Sequence, residues 1–182
     1  MQAAGVDFQI CPSSVDESVL KQRYKTEALA PDLLAQELAL AKAKDVASRS
    51  PDHFVIGSDQ VLVCEGRTFD KSSTQEEARQ LLRTLRGKEH QLICGTALVK
   101  DEAVLWRHTE VARLWMRDFS DDFLEDYLKK ELPAILGSVG VYHIEERGAQ
   151  LFERIEGDLT CVRGLPLLPL LKTLRFYGHL AS

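Results

Sequence analysis

The sequence predicts an α/β domain, and three observations carry that prediction. Segments with apolar residues at helical spacing alternate with runs that read as strands, an order that lays helices against a sheet. The breaks between them fall at proline and glycine, where regular backbone ends. The composition is that of an ordinary globular chain, with 182 residues, 45% hydrophobic and 28% charged. At roughly 150 residues per domain this is one domain, or one domain with two lobes, long enough to bury a core.

From the N-terminus, Asp32 follows Pro31 and reads as the cap of a helix whose apolar stripe is Leu34, Leu38, Ala41 and Val46; Pro51 ends it. Phe54-Val55-Ile56-Gly57 reads as a buried strand that runs through Ser58-Asp59-Gln60 to Val61-Leu62-Val63, and Glu65-Gly66 is a turn. Ser73 reads as an N-cap, with Glu76 and Glu77 in the first turn as a capping box prefers. That helix carries Ala78, Leu81, Leu82 and Leu85 on one face and stops at Gly87. Two strands are expected next, over 91–100 and 104–117. In the second, Arg107, Thr109, Val111, Arg113, Trp115 and Arg117 alternate with their neighbours, as in a half-exposed strand. Residues 121–131 form a short amphipathic helix broken by Pro133. A glycine-containing loop over 137–148 leads to a strand over 150–155. After the turn at Gly157-Asp158, Gly164-Leu165-Pro166 opens a last helix. The long central strand pair makes the expected sheet mixed rather than purely parallel.

Charge and cysteine usage narrow the function classes. A net charge of -5 argues against a surface that wraps nucleic acid, which would be basic. It leaves room for a nucleotide, which needs a local cationic pocket and a metal ion. Cys11, Cys64, Cys94 and Cys161 are scattered, without a C-x-x-C pair, so no structural zinc is expected. Cys64 and Cys94 lie in apolar runs and read as buried small hydrophobes, which implies a reducing, cytoplasmic compartment. No signal peptide and no apolar run of membrane-spanning length is read; the run over 165–174 is short and interrupted by Pro169 and Lys172.

Asp59 interrupts the most apolar strand of the chain. A carboxylate there either faces a cleft or is buried and paired, and on a rigid strand it suits a metal ligand or a general base. Lys71 lies in the turn before a helix, where a lysine meets phosphate beside free backbone N–H groups or is simply solvated. Lys42 lies on the first predicted helix, on a face that spacing leaves open. Glu17 follows Asp16 in a polar loop, where an exposed acid pair is the default. The five histidines show no metal-ligand spacing, and no P-loop or Gly-x-Ser-x-Gly pattern is present.

Taken in order, Val15-Asp16-Glu17-Ser18, Leu40-Ala41-Lys42-Ala43, Ile56-Gly57-Ser58-Asp59-Gln60-Val61, Asp70-Lys71, Glu77-Ala78 with Leu81-Leu82 and Leu85, and Gly164-Leu165-Pro166-Leu167 resemble the Maf family. The stretch Leu151 to Gly157 matches as well, so the likeness spans nearly the whole chain. The resemblance implies a Maf-like, inosine triphosphatase-like fold, with two lobes around a twisted mixed sheet and a nucleotide cleft between them. It implies hydrolysis of a nucleoside triphosphate to the monophosphate and pyrophosphate, with a divalent cation, Mg²⁺ or Mn²⁺. Asp59 falls on the family's proton acceptor, and Glu17, Lys42 and Lys71 fall on its other acidic and phosphate-contacting positions; Asp59 and Glu17 are the implied metal ligands. Gln60 and Glu145 stand at positions that set the base, in the form that resembles the subgroup acting on 7-methyl-GTP. A homodimer fits the likeness, without an interface signature in the sequence.

The chain also departs from the family pattern. The resemblance implies a first strand and a Leu-Ala-Ser-x-Ser-x-x-Arg segment ahead of Gln2–Phe8; the expectation is a single domain over 1–182 without that strand and its phosphate-binding segment. Glu146-Arg147 replaces a glycine and an apolar residue, and Arg163 replaces an apolar residue before Gly164. Two readings therefore stay open: a pyrophosphatase that clears modified nucleotides, and a nucleotide-binding protein without turnover, tied to septum formation and cell division. A related inosine-triphosphate-type pyrophosphatase is a third, opposed by Ser58-Asp59-Gln60 and Gly164-Leu165-Pro166.

Overall fold

The first ordered element of any length in the computed structural model, which describes residues 1–181, is a helix that the sequence does not announce. Helix α1, Glu17–Glu27, is capped by Asp16, whose side chain accepts from the Ser18 N–H, and buries none of its residues. Without an apolar stripe it carries no periodic signal, which is why Asp16-Glu17 reads as loop. Helix α2, Pro31–Ala47, starts at Pro31 with Ala30 as its cap. Asp32 is thus a first-turn residue rather than the cap, because proline's fixed φ already supplies the entry conformation. Leu34, Leu38 and Val46 are buried as predicted, while Ala41 is half-buried.

Strand β1, Phe54–Cys64, turns at Glu65-Gly66 into the three-residue strand β2, Arg67–Phe69. Both turn residues have positive φ, the geometry of a tight hairpin. Helix α3, Gln75–Leu85, is capped by Thr74 rather than Ser73: Thr74 Oγ1 accepts from the Glu77 N–H at 3.1 Å, and Glu77 accepts from the Ser73 N–H at 2.6 Å. The Thr-x-x-Glu spacing fits the capping box one residue later than expected. Strands β3, Glu89–Lys100, and β4, Ala103–Met116, follow, then helix α4, Asp121–Glu131, strand β5, Phe152–Glu156, the short helix α5, Leu159–Val162, and helix α6, Leu167–Phe176.

The strand order is β2-β1-β3-β4-β5. The sheet is antiparallel, not mixed. The β1–β2 and β4–β5 ladders run antiparallel, and β3 passes into β4 through the two residues Asp101 and Glu102. The start of β3 returns to the end of β1, where Cys64 Sγ lies 3.5 Å from the Glu89 carbonyl. The unread strand β2 makes the difference, because it reverses the chain before α3.

Two compact units divide the chain. In the first, formed by Met1–Asp59, Cys94–Glu110 and Gly164 onward, the strand alternation is explicit. Val55, Ala97 and Val99 join Leu40, Ala43, Val46 and Ala47 of α2, whereas Phe54, Ile56 and Leu98 join Leu170 and Leu174 of α6. The second unit, Gln60–Ile93 with Val111–Arg163, buries Leu62, Leu82, Leu85, Leu92, Leu114, Leu124 and Tyr127. In it, Arg79 pairs with Glu125 and Arg86 with Asp121, tying α3 to α4. The short alternation predicted for β4 is seen from Val111 onward, with Ala112, Leu114 and Met116 buried and Val111 and Arg113 exposed.

Candidate active site

Two glycines let α2 approach the sheet closely. A Cβ added to Gly57 would lie 2.2 Å from the Ala39 carbonyl oxygen, and one added to Gly95 would lie 2.3 Å from that of Ala35. Ala35, Ala39 and Ala43 follow at four-residue spacing, so one face of α2 presents only methyl groups to the sheet. Residues 55, 57 and 59 of β1 share the face toward that helix. Asp59 therefore emerges beside Lys42, the neighbour of Ala43.

There Lys42 Nζ donates to Asp59 Oδ1 and lies 2.7 Å from Glu17 Oε1, while Lys21 reaches Glu17 Oε2 at 3.2 Å. Three of the four residues expected to do the chemistry thus meet: a strand carboxylate, a helix lysine and the first residue of α1. The Asp59 side chain is only 14% exposed. Burial pushes its carboxyl above the usual carboxylate range, against the hydrogen bond and charge of Lys42. Burial also works against the Lys42 ammonium, but its bonds to Asp59 and Glu17 prevail and hold it above the ordinary lysine range. Glu17 is less buried; Lys42 and Lys21 outweigh its desolvation and lower it.

The remaining predicted residues belong to the second unit. Lys71 is exposed in the segment between β2 and α3, and lines a pocket of about 280 Å³ with Asp70, Ser72 and Glu77. Gln60 turns to the opposite face of β1 from Asp59, where its amide donates to the Cys161 and Val162 carbonyls at 2.7 and 3.2 Å. Glu145 is half-exposed and pairs with Arg163 at 3.4 Å. Lys21 was not singled out from the sequence, and Ser58 entered only as part of the Ser58-Asp59-Gln60 motif. Lys21 carries the i,i+4 spacing from Glu17 that a recognised α1 would have revealed. Ser58 Oγ donates to the Gly164 and Gly95 carbonyls at 2.8 and 3.1 Å and fixes the turn into α6.

The sequence that builds this arrangement falls within a known family. Residues 1–177 match the family described as Maf-like protein, and the chain belongs to it. Among its relatives, a nucleoside triphosphate pyrophosphatase of Granulibacter bethesdensis is 47% identical over 175 residues, 96% of this chain and 89% of the relative. A 7-methyl-GTP pyrophosphatase of Rhizobium etli is 42% identical over 178 residues, 98% of this chain and 89% of the relative. A nucleoside triphosphate pyrophosphatase of Paramagnetospirillum magneticum is 41% identical over 180 residues, 99% of this chain and 93% of the relative. No helix among the described residues is long and apolar enough to cross a membrane.

Proposed function

We propose that this chain is a nucleoside triphosphate pyrophosphatase that hydrolyses the α–β phosphoanhydride, releasing the monophosphate and pyrophosphate. The observation that carries the reading is the Glu17–Lys42–Asp59 cluster on a rigid strand and helix. A water molecule held by Asp59 attacks the α-phosphorus. Its proton passes to the carboxylate as the new P–O bond forms, and the bond to the bridging oxygen breaks with its electron pair leaving on pyrophosphate. Burial raises Asp59 toward the range in which a carboxylate accepts a proton well, and Lys42 keeps it ionised until then. The Lys42 ammonium, and Lys71 in its own segment, supply positive charge for phosphate oxygens.

The cluster suits a divalent cation such as Mg²⁺ or Mn²⁺. Lys42 reaches both Glu17 and Asp59, so the two carboxylates lie close together, and two carboxylates completed by substrate phosphates are a donor set magnesium sites commonly use. Asp59 and Glu17 would hold the ion, which when bound neutralises phosphate charge. Cys64, Cys94 and Cys161 are buried cysteines, which fits a cytoplasmic setting.

For the base, we favour 7-methyl-GTP. Glu145 offers a carboxylate that accepts from the guanine N1–H and N2–H₂ edge, and its charge suits a cationic methylated ring. The name of the Rhizobium etli relative agrees with this reading, while the other two relatives carry the broader name. The test is pyrophosphate release from 7-methyl-GTP, GTP, UTP and dTTP with Mg²⁺ or Mn²⁺. Turnover that favours 7-methyl-GTP and disappears in Asp59→Asn is expected. Equal turnover by Asp59→Asn would remove Asp59 from the chemistry, and a preference for dTTP would overturn the base assignment.

A further inference from the structure

The two residues expected to select the base both reach residues 161–163. Gln60 spends its amide N–H groups on the carbonyls of Cys161 and Val162, at the end of α5. The next residue, Arg163, caps that helix, and its N–H donates to the Leu159 carbonyl at 3.1 Å. Its guanidinium reaches Glu145 Oε1, with Nε 3.4 Å away. The neighbouring charges are engaged elsewhere: Glu146 lies 3.3 Å from His143 Nδ1, and Arg147 pairs with Asp126.

We propose that Arg163, on a turn buttressed by Gln60, is a positioning residue that sets the charge and reach of Glu145 and thereby tunes discrimination between cationic and neutral bases. The inference rests on the reading of Glu145 as the residue that meets the base. While paired, Glu145 presents a partly neutralised carboxylate with one oxygen engaged. A neutral guanine edge loses one acceptor to that pairing. A cationic 7-methylguanine loses more, because it also faces the guanidinium charge. Gln60 then acts through the backbone that carries Arg163 and does not itself read the base.

The test is calorimetric binding of 7-methyl-GTP and of GTP to the full chain, for the native protein, Arg163→Leu, Arg163→Lys, Glu145→Gln and the Arg163→Leu/Glu145→Gln double variant. Thermal unfolding confirms that each is folded. Arg163→Leu is expected to raise the preference for 7-methyl-GTP over GTP about threefold, the size of a half-exposed charge interaction. Arg163→Lys should keep the native ratio, and the Arg163→Leu effect should vanish in the double variant. A merely structural role would change both affinities together and leave their ratio fixed, which overturns the inference while Glu145→Gln still alters the ratio. If Glu145→Gln leaves the ratio unchanged, the base assignment itself fails and the inference fails with it.

Discussion

Replacing Gly57 by alanine should separate α2 from β1 and disable the cluster without touching any of its side chains. The new Cβ would lie 2.2 Å from the Ala39 oxygen, 2.8 Å from the Ala43 nitrogen and 2.9 Å from the Ala43 Cβ, where ordinary contact begins at 3.4 Å. The obstacles are helix backbone and a methyl group fixed to it, so the shortfall of about 1 Å has to be met by moving the helix or the strand rather than a side-chain tip. Overpacking of this kind costs about 1–3 kcal/mol. Lys42 immediately precedes Ala43, so the same displacement draws its ammonium away from Asp59. A misplacement of about 1 Å at a reacting group costs on the order of 100-fold in rate. The assay pairs urea unfolding with kcat/KM for pyrophosphate release. Gly137→Ala serves as control, because an added Cβ there meets nothing within 4 Å. A Gly57→Ala protein that unfolds at the native urea concentration and retains native kcat/KM would mean that α2 does not rest on Gly57.

Three further outcomes are expected. Lys42→Met removes the cation that opposes the effect of burial on Asp59; the acid limb of the kcat/KM–pH profile should move to higher pH, and an unmoved limb would detach Asp59 from the titration. His90 is buried, its Nε2 lies 2.8 Å from the Tyr142 hydroxyl and its Nδ1 has no hydrogen-bond partner, and burial lowers its pKa from 6.5 to about 4. The folded state resists a proton that the unfolded state accepts, so the neutral imidazole's contribution is complete above pH 6.5 and is lost as pH falls toward 4. The loss is about 3 kcal/mol, and urea midpoints between pH 7.5 and 4.5 should fall less steeply in His90→Gln than in the native protein. Thr74→Ala removes the side-chain cap of α3 and should cost about 1 kcal/mol by urea unfolding, with kcat unchanged.

How much of this was legible in the sequence depends on how each residue signals. Strand β1 and helices α3 and α4 show themselves through spacing, because Leu81, Leu82 and Leu85, or Leu124 and Leu128, must fall on a buried face. Helix α1 has no buried residue and β2 has three residues, so neither leaves a pattern to read. The missing β2 carried the error in sheet type, since strand direction depends on every reversal of the chain. Asp59 was singled out because it interrupts an apolar strand and Lys42 by family likeness, and their meeting follows from small residues that sequence periodicity ranks low: Gly57 and Gly95 opposite Ala35, Ala39 and Ala43. The alternation that puts residues 55, 57 and 59 on one face was readable, but not that α2 covered that face. The Glu145–Arg163 pair joins residues from separate segments of the chain and has no local signature at all.

The central claim is that Asp59 directs water onto the α-phosphorus of a nucleoside triphosphate. Hydrolysis in ¹⁸O-labelled water, with the products resolved by mass, tests it most directly. One labelled oxygen is expected in the nucleoside monophosphate, none in the pyrophosphate, with loss of the labelled product in Asp59→Asn. Label in the pyrophosphate, release of inorganic phosphate with a diphosphate product, or undiminished labelling by Asp59→Asn would contradict it.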